Sequence, residues 1–464
     1  MGVRAAGMLA ALGWVAGWCA PAPQAWVPMR WPWQDARSLD LLAGTPINCL
    51  LLEAYSPDLV AAAEKRGLVT LARIAPGGDT MAAARAALVR GVSGIVLEGS
   101  FAEGTAAAVR TEAVSRPVIE ITARNHLALG SAAPVLGTWQ GVWPGIPAED
   151  HGSSRMAGPS GSAWIDTNTG FIRAVRAWGD AAVWLANTPP AGEVITTERY
   201  LQAIADAAIS GGRWVVALDR GFVGRLAAGD AIARVSWRRM GTLLDYFERH
   251  PEWRAMREAG KLALVQDPAK GGLLSGGILD MIAVKHTPVT PVPPQRLTPE
   301  ALAGSAVAVD VDAGALTAPE EAVLRNFARS GGTVLTSPAG FKDERPPGDS
   351  ITLSKAELDR FNDIWRDVNS LVGRQNLGVR LFNVSTMLSN VLASPDGKTE
   401  IVHLVNYSDY PVENVTVQFL GAYRRATLLT PDGADKTLQV YAADEGSGVD
   451  IDKVAVCATL KLEL

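Results

Sequence analysis

Several short apolar runs in the first half of this chain end in an acid: CLLLE at Glu53, GIVLE at Glu98, PVIE at Glu120, SAWID at Asp166 and VVALD at Asp219. Each run has the length and branched composition of a buried strand. Between several of them lie Ala-rich amphipathic stretches, SPDLVAAAEKRG, DTMAAARAALVRG and TERYLQAIADAAISG, each entered by Ser, Asp or Thr and closed by Gly as helix caps require. Repeating βα units bury both faces of a parallel sheet, with the helices outside.

Eight strand candidates follow from this pattern: 47–53, 68–74, 92–98, 117–122, 134–139, 162–166, 182–186 and 213–219. They predict a TIM-like (β/α)8 barrel; a doubly wound open sheet is the competing arrangement. The barrel is preferred because acids recur at strand ends all along the region, whereas an open sheet would gather its site at one switch point. Past the barrel, KLALVQDPAKGGLLSGGILDMIAVKH opens a new βαβ-like unit, and a Pro-rich stretch leads to strand AVAVDV, helix TAPEEAVLRNFARSGG and strand TVLTSP. Alternating runs such as EIVHLVNYS, ENVTVQFLG and KVAVCATLKLEL, separated by turn signals including PDGK and PDGA, describe an antiparallel β-sandwich at the end.

The expected order is therefore a signal peptide over 1–25, the barrel over 26–258, a small α/β domain over 259–345, a linker helix over 346–377 and the sandwich over 378–464. The first segment, with Arg4 before an apolar stretch and a small-residue exit, reads as a cleaved export signal, so a secreted or periplasmic protein is expected, and the Ala/Arg-rich composition points to a bacterial one. The apolar stretch is short for a span of about 20 residues. No membrane association is expected after its removal. The net charge of -5, with both signs dispersed, lacks the basic footprint of a nucleic-acid binder. Cys49 and Cys457 would remain in the mature chain and are expected as buried free thiols. No Cys/His spacing suggests a metal, and no motif suggests a cofactor: GGLLSGG lacks the Lys-Ser/Thr ending of a phosphate-binding loop.

Acids at a barrel mouth suit glycoside hydrolysis, which needs one carboxyl held protonated and a second held ionised across the scissile bond. Asp166 ranks first because WIDTNTG puts an acid, an amide and an aromatic at one strand end; Glu120 and Asp219 are its candidate partners. For Asp166 or Asp219 the competing reading is a cap on the next helix or an ion pair with a nearby Arg. Glu53 and Glu98 are candidate substrate-binding acids. Trp139, Trp143 and Trp164 could stack on sugar rings, and Asn168 and Asn187 could orient hydroxyls. Arg73, Arg124, His126 and His151 are further polar candidates, and Arg73 is better read as structural.

The run LTAPEEAVLRNFARSGGTVLTSP resembles the amidotransferase-like middle domain of family 42 β-galactosidases, and the C-terminal β-domain resembles the accessory domain of barrel glycosidases. The resemblance implies an oligosaccharide or polysaccharide substrate and a non-catalytic middle domain suited to homo-oligomer contacts. That family's clan carries an acid/base Glu after strand four and a nucleophile Glu on strand seven. Here Glu120 and Asn125 lie near the end of the expected strand four, but AVWLANTPP has no acid. The pattern of the α-galactosidase clan, acids on strands four and six, would select Glu120 and Asp166. Loss of the strand-seven acid equally allows a non-catalytic carbohydrate-binding or assembly protein with a degenerate glycosidase barrel.

Overall fold

The computed structural model describes residues 21–141, 143–144, 150–151, 154–156, 168–267, 287–311, 314–336, 352–354, 366–368, 370–384, 386–444 and 446–464. An eight-stranded sheet of parallel neighbours runs β1 (Pro28–Trp31), β2 (Cys49–Leu52), β3 (Val69–Ile74), β4 (Gly94–Glu98), β5 (Val118–Thr122), β6 (Val135–Thr138), β7 (Ala182–Leu185) and β8 (Arg213–Trp214). A parallel bridge between Met29 and Val216 joins the two ends, with Arg30 N–H donating to Val216 O at 2.8 Å. The sheet is thus a barrel.

One strand differs from expectation. β1 falls in the Trp/Pro-rich entry WVPMRWPWQ, where Pro28 costs no ladder bond because it opens the strand. The expected strand over 162–166 lies outside the described residues, and β6 pairs directly with β7 from Val135–Ala182 to Thr138–Leu185. Every strand from 47–53 to 134–139 therefore moves up one place in the barrel. Glu98, not Glu120, ends strand four.

The helices form where the caps indicate. Ser56 Oγ accepts from Leu59 N–H ahead of α1 (Pro57–Lys65), Asp79 caps α2 (Thr80–Val89), and Thr196 caps α5 (Thr197–Ala208). Gly67 and Gly91 close α1 and α2 at φ 72° and 86°, where a side chain would be strained. After α3 (Thr105–Ala113) the same role falls to Val114, at φ 54° and 86 % exposed. A β-branched residue in that region stores strain of order 1–3 kcal/mol. Val114→Gly is expected to raise stability by about 1 kcal/mol, after allowing for the added freedom of the unfolded chain. A urea midpoint that does not rise would refute this.

Inside the barrel, Cys49, Leu51, Val69, Leu71, Val96, Ile119, Ile121, Val135, Trp184 and Val215 form the luminal core. α4 (Asn168–Arg176), α6 (Arg220–Ala227) and α7 (Ala231–Glu248) complete the described outer layer with the helices above.

Beyond the barrel, β9 (Leu262–Val265), β10 (Val289–Val292), β11 (Val307–Asp310) and β12 (Thr333–Thr336) form a parallel sheet in the order β10-β9-β11-β12. It is followed across α8 (Ala318–Arg329), whose first turn carries a Thr317–Glu320 capping box. Most of the expected linker helix lies outside the described residues. The C-terminal region is an antiparallel sandwich. Four strands, β13 (Val379–Phe382), β16 (Val412–Leu420), β19 (Tyr441–Ala443) and β20 (Gly446–Val454), face a larger sheet containing β14 (Met387–Ala393), β15 (Thr399–Asn406), β17 (Arg425–Leu429), β18 (Lys436–Leu438) and β21 (Cys457–Glu463).

The larger sheet gains an edge from Arg257–Glu258, which pairs antiparallel with β14. Its central strands β14, β15 and β21 are largely buried on both faces. Val402 and Leu404 enter the sandwich core, while Ile401 and Val405 pack with Phe247 and Ile204 of the barrel's outer layer. Cys49 and Cys457 are free and buried, and burial pushes both thiols up from their ordinary pKa. Among the described residues no helix is long and apolar enough to cross a membrane.

Candidate functional site at the barrel mouth

Strand alternation decides which acids reach the lumen. Glu53 shares parity with luminal Leu51 and Cys49, and Glu98 with Val96; both continue the inner face to its C-terminal end. Glu120 lies between luminal Ile119 and Ile121, so it points outward and pairs with Arg110 of α3. Glu120, expected as a catalytic partner, thus sits on the outer face of the barrel wall.

At the mouth a chain of alternating charges spans β1 to β4. Arg30 grips Glu98 with two bonds, Nη2 to Oε1 at 2.6 Å and Nη1 to Oε2 at 2.9 Å, and Nη2 also donates to Ala186 O at 2.7 Å. Arg73 Nε donates to Glu98 Oε2 at 2.7 Å, while its Nη1 reaches Glu53 Oε1 at 2.8 Å. The Glu98 side chain is only 10 % exposed, the Glu53 side chain 79 %. Burial works against the Glu98 charge, but the bonds and charges of Arg30 and then Arg73 outweigh it and hold the carboxyl below its ordinary range. Glu98 is therefore an ionised group with both oxygens engaged.

A cleft of about 620 Å³ opens above this chain, lined by Arg30, Glu53, Arg73, Asp219 and Arg220 and walled by the loop 188–194. Asp219 is buried at its edge and caps α6. Its Oδ1 accepts from Phe222 N–H at 2.9 Å and its Oδ2 from Tyr200 Oη at 2.6 Å. The capping alternative describes this residue's position.

A second polar group sits at the same end of the barrel. Arg124, just past β5, is 1 % exposed; its backbone N–H donates to Gln140 Oε1, its Nε to Gln140 O, and its Nη2 to Asn168 Oδ1 at 3.3 Å. Its guanidinium carbon lies 4.1 Å from the centre of the Phe171 ring. Asn168 is thus placed beside the mouth by an arginine. Asn187, just past β7, is buried, with its backbone oxygen accepting from Trp214 Nε1 at 3.1 Å; a Cβ on Gly141 would lie 2.6 Å from its side chain.

The tryptophans divide. Trp139 is partly buried against the luminal cluster and continues it toward the mouth. Trp143, a candidate for stacking on a sugar ring, is 6 % exposed in an aromatic cluster, its ring centre 5.2 Å from Trp214 and 6.0 Å from Tyr200. It is a core residue. Asp166 and Trp164 lie outside the described residues, as does the His151 side chain; His126 is exposed. Among the described residues no group of three or more His, Cys, Asp or Glu is placed to hold a metal.

Arg30 and Tyr200 were not among the expected site residues. Arg30 had a visible signal, a lone cation inside the apolar run WVPMRWPW. Tyr200 had none, because its role depends on Asp219 in a different βα unit.

No family model matches the sequence, and no curated protein matches it. Solved structures do. The α-L-fucosidase isoenzyme 2 of Paenibacillus thiaminolyticus superposes over 93 % of this chain and 96 % of its own with a TM-score of 0.61, at 10 % identity. The shared fold is a (β/α)8 barrel with the domains that follow it. A rhamnosidase from Novosphingobium sp. PP1Y (13 % identity, 78 % of this chain and 38 % of that one, TM-score 0.49) and a β-galactosidase from Rahnella sp. R3 (10 %, 88 % and 66 %, TM-score 0.38) are also similar. The fucosidase likeness, at 10 % identity, carries the fold alone and not the family 42 assignment.

Proposed function

We propose that this chain binds a carbohydrate in the cleft at the mouth of its glycosidase-like barrel, and that the described mouth carboxylates do not hydrolyse it. One observation carries the reading: both oxygens of Glu98 are taken up by Arg30 and Arg73, and both oxygens of Asp219 by the α6 N-terminus and Tyr200. A glycosidase needs one carboxyl kept protonated as acid beside a second kept ionised; Glu98 is held ionised, so it does not supply the acid, and its engaged oxygens count against the second role. Glu53 and Arg73 remain at the cleft surface, where a carboxylate and a guanidinium can bond sugar hydroxyls. The proposal includes export, on the strength of the charged start, apolar centre and small-residue exit of the first 25 residues.

The test is a panel of oligosaccharides and aryl glycosides offered to the full mature chain, with binding and turnover both measured. Binding without turnover is expected, with Glu53→Gln weakening affinity about tenfold, as loss of one charged hydrogen bond would. Failure of every glycan to bind would refute the reading.

A second reading, hydrolysis through Asp166, is favoured by the buried Asn168 two residues away and its bond to Arg124 at the mouth. Under it the wild type turns over a glycoside and Asp166→Asn loses on the order of 10² to 10⁴ in rate.

A further inference from the structure

The face that β14, β15 and β21 turn toward the barrel is largely apolar; the polar side chains buried in it include Asn390, whose Nδ2 donates to Ile209 O at 2.7 Å, Thr459 and His403. His403 on β15 is 1 % exposed and sits between Ile401 and Val405 on that face. Its ring lies 4.9 Å from Trp253 and 6.2 Å from Phe247, and Trp253 in turn stacks on His250 at 4.1 Å with an 8° interplanar angle. Nδ1 is 2.8 Å from Thr459 Oγ1 on β21, which also accepts from Tyr246 Oη of α7 at 2.7 Å. His403 therefore touches the barrel through aromatic rings and its own sheet through one hydroxyl.

The charges around it are unfavourable to a further cation. His403 lines a small cavity of about 30 Å³ shared with Arg213, Glu248, His250 and Arg254. Glu248 is already held by Arg213 at 3.0 Å and Arg254 at 2.5 Å, and Glu258 pairs with Arg176 at 3.4 Å. Three arginines thus face two glutamates, and Glu252 is occupied with His250 at 3.0 Å. A cavity of this size holds about one water. It cannot hydrate an imidazolium.

We propose that the joint between barrel and sandwich is an acid-sensitive latch, closed while His403 is neutral and released when that ring takes up a proton. Burial, helped by the nearby charges of His250 and Arg176, drives the ring's pKa down to about 3 in the closed state. In an opened state the ring regains its ordinary 6.5, so protons bind the open form preferentially. The closed state is fully favoured above pH 6.5 and loses ground as pH falls toward 3. By pH 5.5 the closed-to-open ratio should fall about tenfold from this one group.

Hydrogen exchange on the full chain, expressed as protection factors at pH 7.5 and 5.5, reads the joint. Amides of β14, β15 and 249–258 should lose about tenfold in protection, while β2 to β5 in the barrel keep theirs. His403→Gln should remove that pH step, and His250→Gln should leave most of it. An unchanged joint in the wild type, or an undiminished step in His403→Gln, overturns the latch. Should His403→Gln fail to fold, ring NMR of the wild type decides instead. A ring that stays neutral at pH 5.5 while the joint is closed supports the proposal; one that titrates near 6.5 with the joint protected overturns it.

Discussion

Glu98→Ala is expected to destabilise the barrel by about 3–5 kcal/mol, because it strands two largely buried guanidinium groups. The Arg30 and Arg73 side chains are 16 % and 23 % exposed, and three of their hydrogen bonds end on this one carboxylate. Arg73 keeps Glu53 as a partner, but that acid is mostly in water and screened. The sign with pH follows from the lowered carboxyl: the folded state prefers the ionised form, so the contribution is fully present above the ordinary value of 4.5 and is lost as pH falls through the folded-state value. Urea unfolding of wild type, Glu98→Ala, Arg30→Met and the double variant measures the cost. The double variant should be less destabilised than the two single losses added, since removing both partners leaves fewer orphaned charges. A loss under about 1 kcal/mol in Glu98→Ala would mean the pair is hydrated and the mouth more open than its geometry indicates.

The same charge chain explains what the sequence could and could not convey. That acids gather at strand ends was legible, because a strand's length and its terminal residue are local properties. That Glu98 would be spent on Arg30 was not, since the partner comes from 68 residues away, on a four-residue strand between prolines. Glu120 carried a local warning: its run continues through Ile121 and Thr122, so it is not terminal, and the flanking isoleucines give it the opposite parity. Asp219 carried one too, standing three residues before Phe222 at the start of a helix, the spacing of an N-cap. In EIVHLVNYS, apolar residues on both parities signal a strand covered on both faces, more than a sandwich with one wet face requires. The second cover is the barrel, which no local pattern names.

Trp143 separates the roles of packing and recognition among the tryptophans, and the second large effect is expected there. Its surroundings, GTWQGVWPG, have the composition of a binding loop, yet its ring meets Trp214 at 73° and Tyr200 at 87°, edge to face, and is sealed from solvent. Those partners also join Phe222 and, through the Tyr200 hydroxyl, the Asp219 cap. Trp143→Ala should therefore cost about 3–5 kcal/mol, the range for emptying a buried indole. Trp143→Phe should recover part of it, because a smaller ring keeps the edge-to-face contacts. If the residue were a sugar platform instead, alanine would leave the unfolding midpoint nearly unchanged and remove glycan affinity. Trp139 is the internal contrast: it extends the luminal cluster at the mouth, so Trp139→Ala should lower affinity for a bound glycan more than Trp143→Phe does. Measuring midpoint and affinity on the same three variants assigns each ring. A Trp143→Ala protein as stable as wild type would return that side chain to the cleft.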